Sequence, residues 1–239
     1  KEKKLTITNS RNTMEEAVVA SALAFIFSLA RGQKKVHFSL QGETFGRKDY
    51  DEFFPFSSDV FGSSFCVLGY GPISRLLVKA LKPLASEIKV VTRTNRNVSG
   101  IEFFNYTEII EATKKADFIV NLLPQNNSTL NIVDNNVISN FKTDSYYINL
   151  GRHTTNDEES LVKAIYDRRL AGLGLDVFSG DTKLRDRMFK HYNVCLTPHV
   201  AAVSKNYWKK QIEILKWNLA RYFEDNFKDM KNLVYLKGE

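Results

Sequence analysis

Three polar side chains with complementary chemistry each follow an apolar run of the sequence. They are Arg152, Asp181 and His199, after predicted strands at 146–150, 171–176 and 193–196. A guanidinium pairs with a carboxylate or a phosphate, an imidazole exchanges protons near neutral pH, and a carboxylate can orient an imidazole. Because ligands of open α/β sheets bind beyond the carboxyl ends of the strands, we predict that the three side chains converge on one crevice.

Each of the three residues also has a purely structural interpretation. His199 after a Thr-Pro pair can be a loop residue, Asp181 after Ser-Gly can stabilise a turn, and Arg152 can pair with Asp157 at the start of a helix. We interpret the other histidines as structural residues: His37, His153 and His191.

Short apolar runs alternate with amphipathic segments over most of the chain. Besides the three strands above, the pattern predicts strands at 65–68, 88–92, 101–104 and 117–122, and helices at 14–31, 72–83, 106–115, 134–140, 157–168 and 203–224. The strands are apolar over nearly their whole length, as expected when both faces of a sheet are covered. The alternation therefore predicts an α/β fold of the Rossmann type, with a doubly wound parallel sheet.

A glycine-containing turn follows the first of these strands and opens a helix. It reads Gly69-Tyr70-Gly71-Pro72-Ile73-Ser74. The first glycine permits a tight turn, the second lets the backbone approach a pyrophosphate, and the helix N-terminus supplies amide donors. Glycine turns between strands and helices are common, so the prediction depends on the alternation of strands and helices around this turn. We predict that these six residues bind a dinucleotide, with Ser74 where Gly or Ala is usual.

The segment after the second predicted strand bears on the type of dinucleotide. An NAD site places Asp or Glu here, to accept hydrogen bonds from the ribose 2′-hydroxyl. No carboxylate is present between Thr92 and Arg96. Guanidinium groups pair bidentately with phosphate, so the segment favours NADP(H) over NAD(H). The residues predicted at the 2′-phosphate are Thr92, Arg93, Thr94 and Arg96; the alternative is that both arginines are solvated loop residues.

Composition excludes several classes of protein. The formal net charge of +7 arises from scattered Lys and Arg, and without a recognition motif we consider a nucleic-acid partner unlikely. Cys66 and Cys195 lie in apolar runs without metal-ligand spacing, which argues against a disulfide scaffold and a metal site and favours the cytoplasm. The apolar stretch 17–30 is too short to span a bilayer, so no membrane association is expected.

Taken together, these stretches resemble the D-isomer-specific 2-hydroxyacid dehydrogenase family. The resemblance runs from about Leu5 to Val234, and the spacing from Pro124 to Arg152 matches without a gap. It implies that Arg152 binds the substrate carboxylate, that His199 protonates the substrate oxygen, and that Asp181 orients the imidazole. It further places these residues at the cofactor: Leu123, Pro124, Thr129, Leu150, Gly151, Asp176, His199 and Ala201.

The chain departs from the family pattern near the same residues. Asp181 replaces the usual Glu, Thr182 follows it in place of Pro, and Asn156 stands where an apolar residue is typical. His153 and Thr154 replace two small residues. These departures leave a rival function open, a non-catalytic dinucleotide-sensing or corepressor-like module. The leading hypothesis is an NAD(P)-dependent enzyme that reduces a small 2-oxo acid of the glyoxylate or hydroxypyruvate type.

The resemblance also implies the domain organisation. The family carries most of a substrate domain before the point where this chain begins, so we expect an excised coenzyme-binding part rather than a naturally short relative. The predicted segments are 1–31, the end of the substrate domain with an interdomain helix; 32–64, a connecting segment; 65–202, the Rossmann domain; and 203–239, a second interdomain helix with a return segment. We expect a homodimer, with the aromatic stretch from Phe45 to Phe61 as a contact region.

Overall fold

A computed structural model describes residues 6–39, 57–94 and 96–236. The chain divides into two compact units, one of Lys1–Ala17 with Ala202–Glu239 and the other of Val18–Ala201. Residues 40–56 lie outside the described residues, and with them most of the predicted dimer contact region. Phe61, at the end of that region, is 71% exposed.

The larger unit contains a seven-stranded parallel sheet. Its strands are β2 (Ser63–Leu68), β3 (Ala85–Val91), β4 (Glu102–Phe104), β5 (Phe118–Asn121), β6 (Ser145–Asn149), β7 (Leu170–Leu175) and β8 (Val194–Leu196), in the spatial order β4-β3-β2-β5-β6-β7-β8. The strand order reverses between β2 and β5, which is the switch point at which doubly wound sheets bind ligands. The predicted fold class and all seven predicted strands are confirmed.

Eight α-helices occur in the described parts of the chain. They are α1 (Glu15–Ala30), α2 (Gln33–Ser39), α3 (Pro72–Leu81), α4 (Ile109–Thr113), α5 (Asn135–Ser139), α6 (Glu158–Tyr166), α7 (Thr182–Lys190) and α8 (Tyr207–Phe223). Short 3₁₀ turns lie at Tyr106–Glu108, His153–Thr155 and Phe227–Asp229. Two helices were not predicted. Helix α2 lies inside the predicted connecting segment 32–64, and α7 carries little apolar signal because only Met188 on it is buried.

Aromatic stacking and close backbone approaches organise the core of the larger unit. The rings of Phe65 and Phe118 stack with centroids 5.2 Å apart, and those of Phe118 and Tyr146 with centroids 4.8 Å apart, across three adjacent strands. Helix α1 packs on β7 so closely that a Cβ atom on Gly174 would lie 2.9 Å from Cδ1 of Phe25. Helix α1 is therefore buried against the sheet within this unit, while its interdomain position stays a prediction.

Replacing Gly172 with alanine is expected to lower the free energy of unfolding by about 1–3 kcal/mol. The added Cβ atom would lie 2.7 Å from Cδ1 of Tyr146 and 2.9 Å from Nδ2 of Asn193, so the core must shift. Urea unfolding of the purified protein measures the change. Gly180→Ala is the matched control, because a Cβ atom there meets nothing within 4 Å. Equal losses for the two variants would contradict the close-packing explanation.

The smaller unit pairs the two ends of the chain. Strand β1 (Thr6–Thr8) runs antiparallel to β9 (Leu233–Leu236), with Thr6 opposite Leu236. In the same unit, the indole ring of Trp217 lies against two cations, Arg221 at 4.1 Å and Lys231 at 4.5 Å from its centroid. None of the helices in the described parts of the chain has the length and apolar character needed to cross a membrane.

Candidate active site

The glycine turn lies at the switch point between β2 and β5. Gly69 adopts a φ of +100°, a conformation that L side chains rarely tolerate, and a Cβ atom there would lie 3.3 Å from the carbonyl oxygen of Leu122. Gly71 is the N-cap of α3, Pro72 is in its first turn, and space around the Gly71 Cα is open. Ser74 is 1% exposed. The turn therefore leaves room for a ligand beside the helix N-terminus, which fits a pyrophosphate.

Arginine side chains follow β3 beside this turn. The guanidinium carbon of Arg96 lies 5.7 Å from the ring centroid of Tyr70, which is inside the glycine turn. The positive charge of Arg93 acts on the phenol of Tyr106, whose pKa is raised by burial and partly lowered again by that charge. Thr92 is fixed by a hydrogen bond of 2.9 Å from its backbone N–H to the carbonyl of Phe104. The end of β3 is thus a basic surface continuous with the glycine turn.

A short loop after β5 is closed by one buried hydroxyl group. Oγ1 of Thr129 donates to the carbonyl of Pro124 at 2.6 Å and accepts from the backbone N–H of Asn126 at 3.0 Å. Leu123, which precedes the loop, is buried. Thr129 therefore shapes the loop that follows the switch point, and its predicted contact with the cofactor stays a prediction.

A buried polar network fixes the backbone at Arg152. The carbonyl oxygen of Arg152 accepts hydrogen bonds from Nδ2 of Asn149 at 3.1 Å and from Oγ1 of Thr155 at 2.6 Å. Asn156 accepts from Asn149 at 2.5 Å and from the hydroxyl of Tyr147 at 3.2 Å. The Arg152 side chain is exposed, and its Nη1 donates to the Gly151 carbonyl at 2.6 Å. The network holds the base of this side chain and leaves most of its guanidinium free.

The His199 loop is held by a buried carboxylate. Asp176 is 2% exposed, and it accepts hydrogen bonds from Thr197 Oγ1 at 2.6 Å and from the backbone N–H groups of Val200 and Ala201 at 2.9 and 3.0 Å. The backbone N–H of His199 donates to the Asp176 carbonyl at 2.8 Å. His199 itself has a φ of +55°, uncommon for a residue other than glycine. Asp176 therefore holds His199 in a conformation that the isolated loop disfavours.

Arg152 and His199 line one cavity, as predicted. This cavity has a volume of about 170 Å³, and its wall also includes Asp176, Val177, Phe178, Pro198 and His153. We interpreted His153 as structural from the sequence, yet it borders the same space. A guanidinium and an imidazole at one small cavity can bind a carboxylate and move a proton to a neighbouring oxygen.

Asp181 does not line this cavity. Its Oδ1 accepts hydrogen bonds from the backbone N–H groups of Lys183 at 2.8 Å and Leu184 at 3.1 Å, so the carboxylate is the N-cap of α7. In the described parts of the chain, no hydrogen bond joins Asp181 to His199. The convergence predicted for three residues is therefore seen for two of them, and the turn-stabilising interpretation describes Asp181 in this structure. The physical reason is that two helix N–H groups attract the short side chain.

Replacing Asn156 with valine is expected to raise the KM for the 2-oxo acid that the family resemblance implies by about three- to tenfold, since small displacements of a positioning group are costly. The change also removes Oδ1, which leaves buried donors of Asn149 and Tyr147 without this acceptor, so the free energy of unfolding is expected to fall by about 1–3 kcal/mol; loss of the unpaired Nδ2 offsets part of this cost. Steady-state kinetics and urea unfolding test both expectations. The KM for the cofactor serves as the internal reference. An unchanged substrate KM would contradict a role of Asn156 in positioning Arg152.

The fold and these loops define a dinucleotide-binding domain with a polar cavity at the carboxyl edge of its sheet. Residues 23–201 match the family described as D-isomer specific 2-hydroxyacid dehydrogenase, NAD binding domain. The chain therefore belongs to the D-isomer specific 2-hydroxyacid dehydrogenase family. The resemblance stated from the sequence is confirmed, and with it the class of enzyme, an oxidoreductase that uses a nicotinamide cofactor.

Several reductases are similar to this chain. A glyoxylate/hydroxypyruvate reductase of Arabidopsis thaliana is 26% identical over 223 residues, which cover 93% of this chain and 69% of that protein. A glyoxylate reductase of Pyrococcus furiosus is 23% identical over 220 residues, 90% of this chain and 65% of that protein. The chain thus spans about two thirds of the length of these relatives.

Solved structures show the same fold. The NADPH-dependent glyoxylate/hydroxypyruvate reductase of Sinorhizobium meliloti, in complex with NADP and malonate, is 26% identical with a TM-score of 0.81, and the match covers 96% of this chain and 70% of that one. The apo D-mandelate dehydrogenase of Rhodotorula graminis has a TM-score of 0.86 at 18% identity, covering 97% of this chain and 68% of that one. The second likeness concerns the fold alone.

Proposed function

We propose that this protein reduces a small 2-oxo acid of the glyoxylate or hydroxypyruvate type with NADPH. The observation that carries the proposal is the cavity at the carboxyl edge of the sheet that Arg152 and His199 both line. The named activities of the Arabidopsis and Pyrococcus relatives agree with this substrate class. The rival, a non-catalytic module, is not favoured, because this chain retains both side chains and its relatives named above are reductases.

The chemistry of the chain's own residues follows from their positions. The Arg152 guanidinium binds the substrate carboxylate and polarises the carbonyl oxygen beside it. His199 gives a proton to that oxygen as the carbonyl carbon gains a hydride, which yields the 2-hydroxy acid, and it takes the proton back in the oxidative direction. The glycine turn, which is open at Gly71, fits a dinucleotide, which supplies the hydride when it is bound.

An activity assay on the complete protein tests this function. We expect NADPH oxidation with glyoxylate or hydroxypyruvate, and pyruvate serves as the third substrate. Tight NADPH binding without oxidation by any of the three acids would favour the dinucleotide-sensing module. A protein that neither binds NADPH nor reduces these acids would contradict both functions.

The double variant Arg93→Ala/Arg96→Ala is expected to weaken NADPH binding by about tenfold or more, because hydrogen bonds to charged groups contribute about 1.5–3 kcal/mol each. NADH binding should change little, since NADH lacks the 2′-phosphate. Calorimetric titration with both cofactors measures the difference. Arg185→Ala, an exposed arginine on α7, is the control. Tighter binding of NADH than NADPH by the unmodified protein would contradict the proposed preference.

We further propose a homodimer in the cytoplasm. Exposed Phe61 at the end of the aromatic stretch supports a protein contact there, and the absence of a disulfide between Cys66 and Cys195 suits a reducing compartment. Sedimentation of the complete protein tests the assembly. A monomer at high protein concentration would contradict it.

A further inference from the structure

The side chain of Tyr70 links the glycine turn to β4 and to the loop that follows β3. Its ring meets that of Phe103 on β4 in a T-shaped contact, with centroids 5.0 Å apart and planes at 87°. The guanidinium carbon of Arg96 lies 5.7 Å from the centroid of the Tyr70 ring. Phe103, Tyr70 and Arg96 therefore form a continuous row of three side chains beside the turn.

Main-chain hydrogen bonds fix the backbone from which the two rings extend. The N–H of Gly69 donates to the carbonyl of Val91, the last residue of β3, at 2.8 Å. Strand β3 in turn pairs with β4, where Phe103 lies opposite Val90. The turn is thus joined to β3 and β3 to β4, so the ring of Tyr70 stands on a fixed base.

Arg96 pairs with no carboxylate in the part of the chain that the structure describes. It lies in the loop between β3 and β4, and its side chain is exposed. A guanidinium within about 6 Å of a ring centroid is attracted to the face of the ring. This contact leaves the N–H groups at the edge of the guanidinium able to donate hydrogen bonds. The Tyr70 ring therefore restricts where Arg96 lies without using its donors.

We propose that Tyr70 is a positioning residue that holds Arg96 in place for the 2′-phosphate of NADP(H). The inference rests on the cofactor preference proposed above and assigns a role in it to a side chain of the glycine turn. An exposed arginine loses conformational freedom when it binds a phosphate, and a ring that already restricts the arginine lowers this cost. NADH lacks the 2′-phosphate, so the ring contributes to the binding of NADPH alone.

Calorimetric titration of the complete protein with NADPH and NADH tests the proposal. Tyr70→Leu, which removes the ring, is expected to weaken NADPH binding by about two- to fivefold, the size of a cation–π contact at an exposed site, and to leave NADH binding unchanged. Tyr70→Phe keeps the ring and should restore NADPH binding. Tyr166→Leu is the matched control, because the guanidinium carbon of Arg187 lies 5.5 Å from that ring centroid outside the glycine turn. Equal weakening of NADPH and NADH by Tyr70→Leu would overturn the proposal.

A double-mutant cycle separates the positioning of Arg96 from a structural effect of Tyr70. In the Arg96→Ala background, Tyr70→Leu should no longer change NADPH binding, because the guanidinium that the ring holds is absent. The same loss in both backgrounds, in a protein that prefers NADPH, would overturn this inference alone. Tighter binding of NADH than NADPH by the unmodified protein would contradict the proposed cofactor and overturn this inference with it.

The stability of the variants is measured alongside their binding. Tyr70 is half-buried, so the fold is expected to persist in Tyr70→Leu, which urea unfolding verifies. Tyr70→Gln also lacks a ring and takes the place of Tyr70→Leu in the cycle if the leucine variant is unstable. Both ringless variants should show the same selective loss of NADPH binding.

Discussion

Replacing His199 with glutamine is expected to lower kcat for glyoxylate reduction by about 10²- to 10⁴-fold, the range for removal of a general acid. Glutamine keeps a polar group of similar size at the cavity but cannot supply a proton to the carbonyl oxygen. The backbone contacts of the loop to Asp176 do not use the imidazole, so the loop itself should persist. Steady-state kinetics with NADPH and glyoxylate measure the loss.

Two further measurements separate proton transfer from other effects of this change. Binding of NADPH to the His199→Gln variant should stay within about threefold of the original, because the lost group acts on the substrate oxygen. His37→Gln, on helix α2, is the control for replacing a histidine elsewhere. A His199→Gln enzyme that keeps its kcat would exclude the imidazole as the proton donor.

Replacing Asp176 with alanine is expected to lower the free energy of unfolding by about 3 kcal/mol, and activity should fall with it. The carboxylate receives three donor groups, from Thr197, Val200 and Ala201, and each buried donor left unpaired costs about 1–3 kcal/mol. The estimate is at the low end because water can reach the adjoining cavity and satisfy part of the loss. Urea unfolding and steady-state kinetics give the two readouts.

The Asp176 prediction has a graded comparison. Asn keeps one carbonyl oxygen as an acceptor, so Asp176→Asn is expected to lose less stability than Asp176→Ala. Some stability should still be lost, because the new amide N–H group lies near a backbone donor. Asp186→Ala removes an exposed carboxylate from α7 and should change stability by less than about 0.5 kcal/mol. If Asp176→Ala unfolds at the same urea concentration as Asp186→Ala, Asp176 does not hold the loop.

The sheet could be predicted because its strands carry their own signal. Phe118–Asn121 and Ser145–Asn149 are buried at every position and consist mostly of apolar and aromatic residues, so their composition marks each strand before any contact is known. Helix α7 gave no such signal, because eight of its nine residues are at least partly exposed and its sequence reads as a polar loop. Asp181 caps the start of this helix, but the same local contact also stabilises simple turns, so it did not indicate a helix.

The candidate site was also predicted only in part. The glycine turn and the positions of Arg152 and His199 just after strands could be predicted, because parallel strands place their carboxyl ends on one edge. The residues that support these side chains could not be predicted, since nothing in the sequence relates Asn156 to Tyr147 or Asp176 to Val200. Asn156 gave one hint, as a polar residue where the family has an apolar one.

The order of residues along the chain determined the doubly wound sheet, the glycine turn and the edge at which Arg152 and His199 emerge. Periodicity and strand direction are local properties of the chain, so they need no knowledge of distant contacts. Tertiary structure alone decided that Asp176 holds the His199 loop and that Asn156 accepts a hydrogen bond from Tyr147. Each of these contacts depends on which polar partner lies within about 3 Å. Hydrogen bonds weaken so steeply with distance and angle that the order of residues along the chain does not specify that partner.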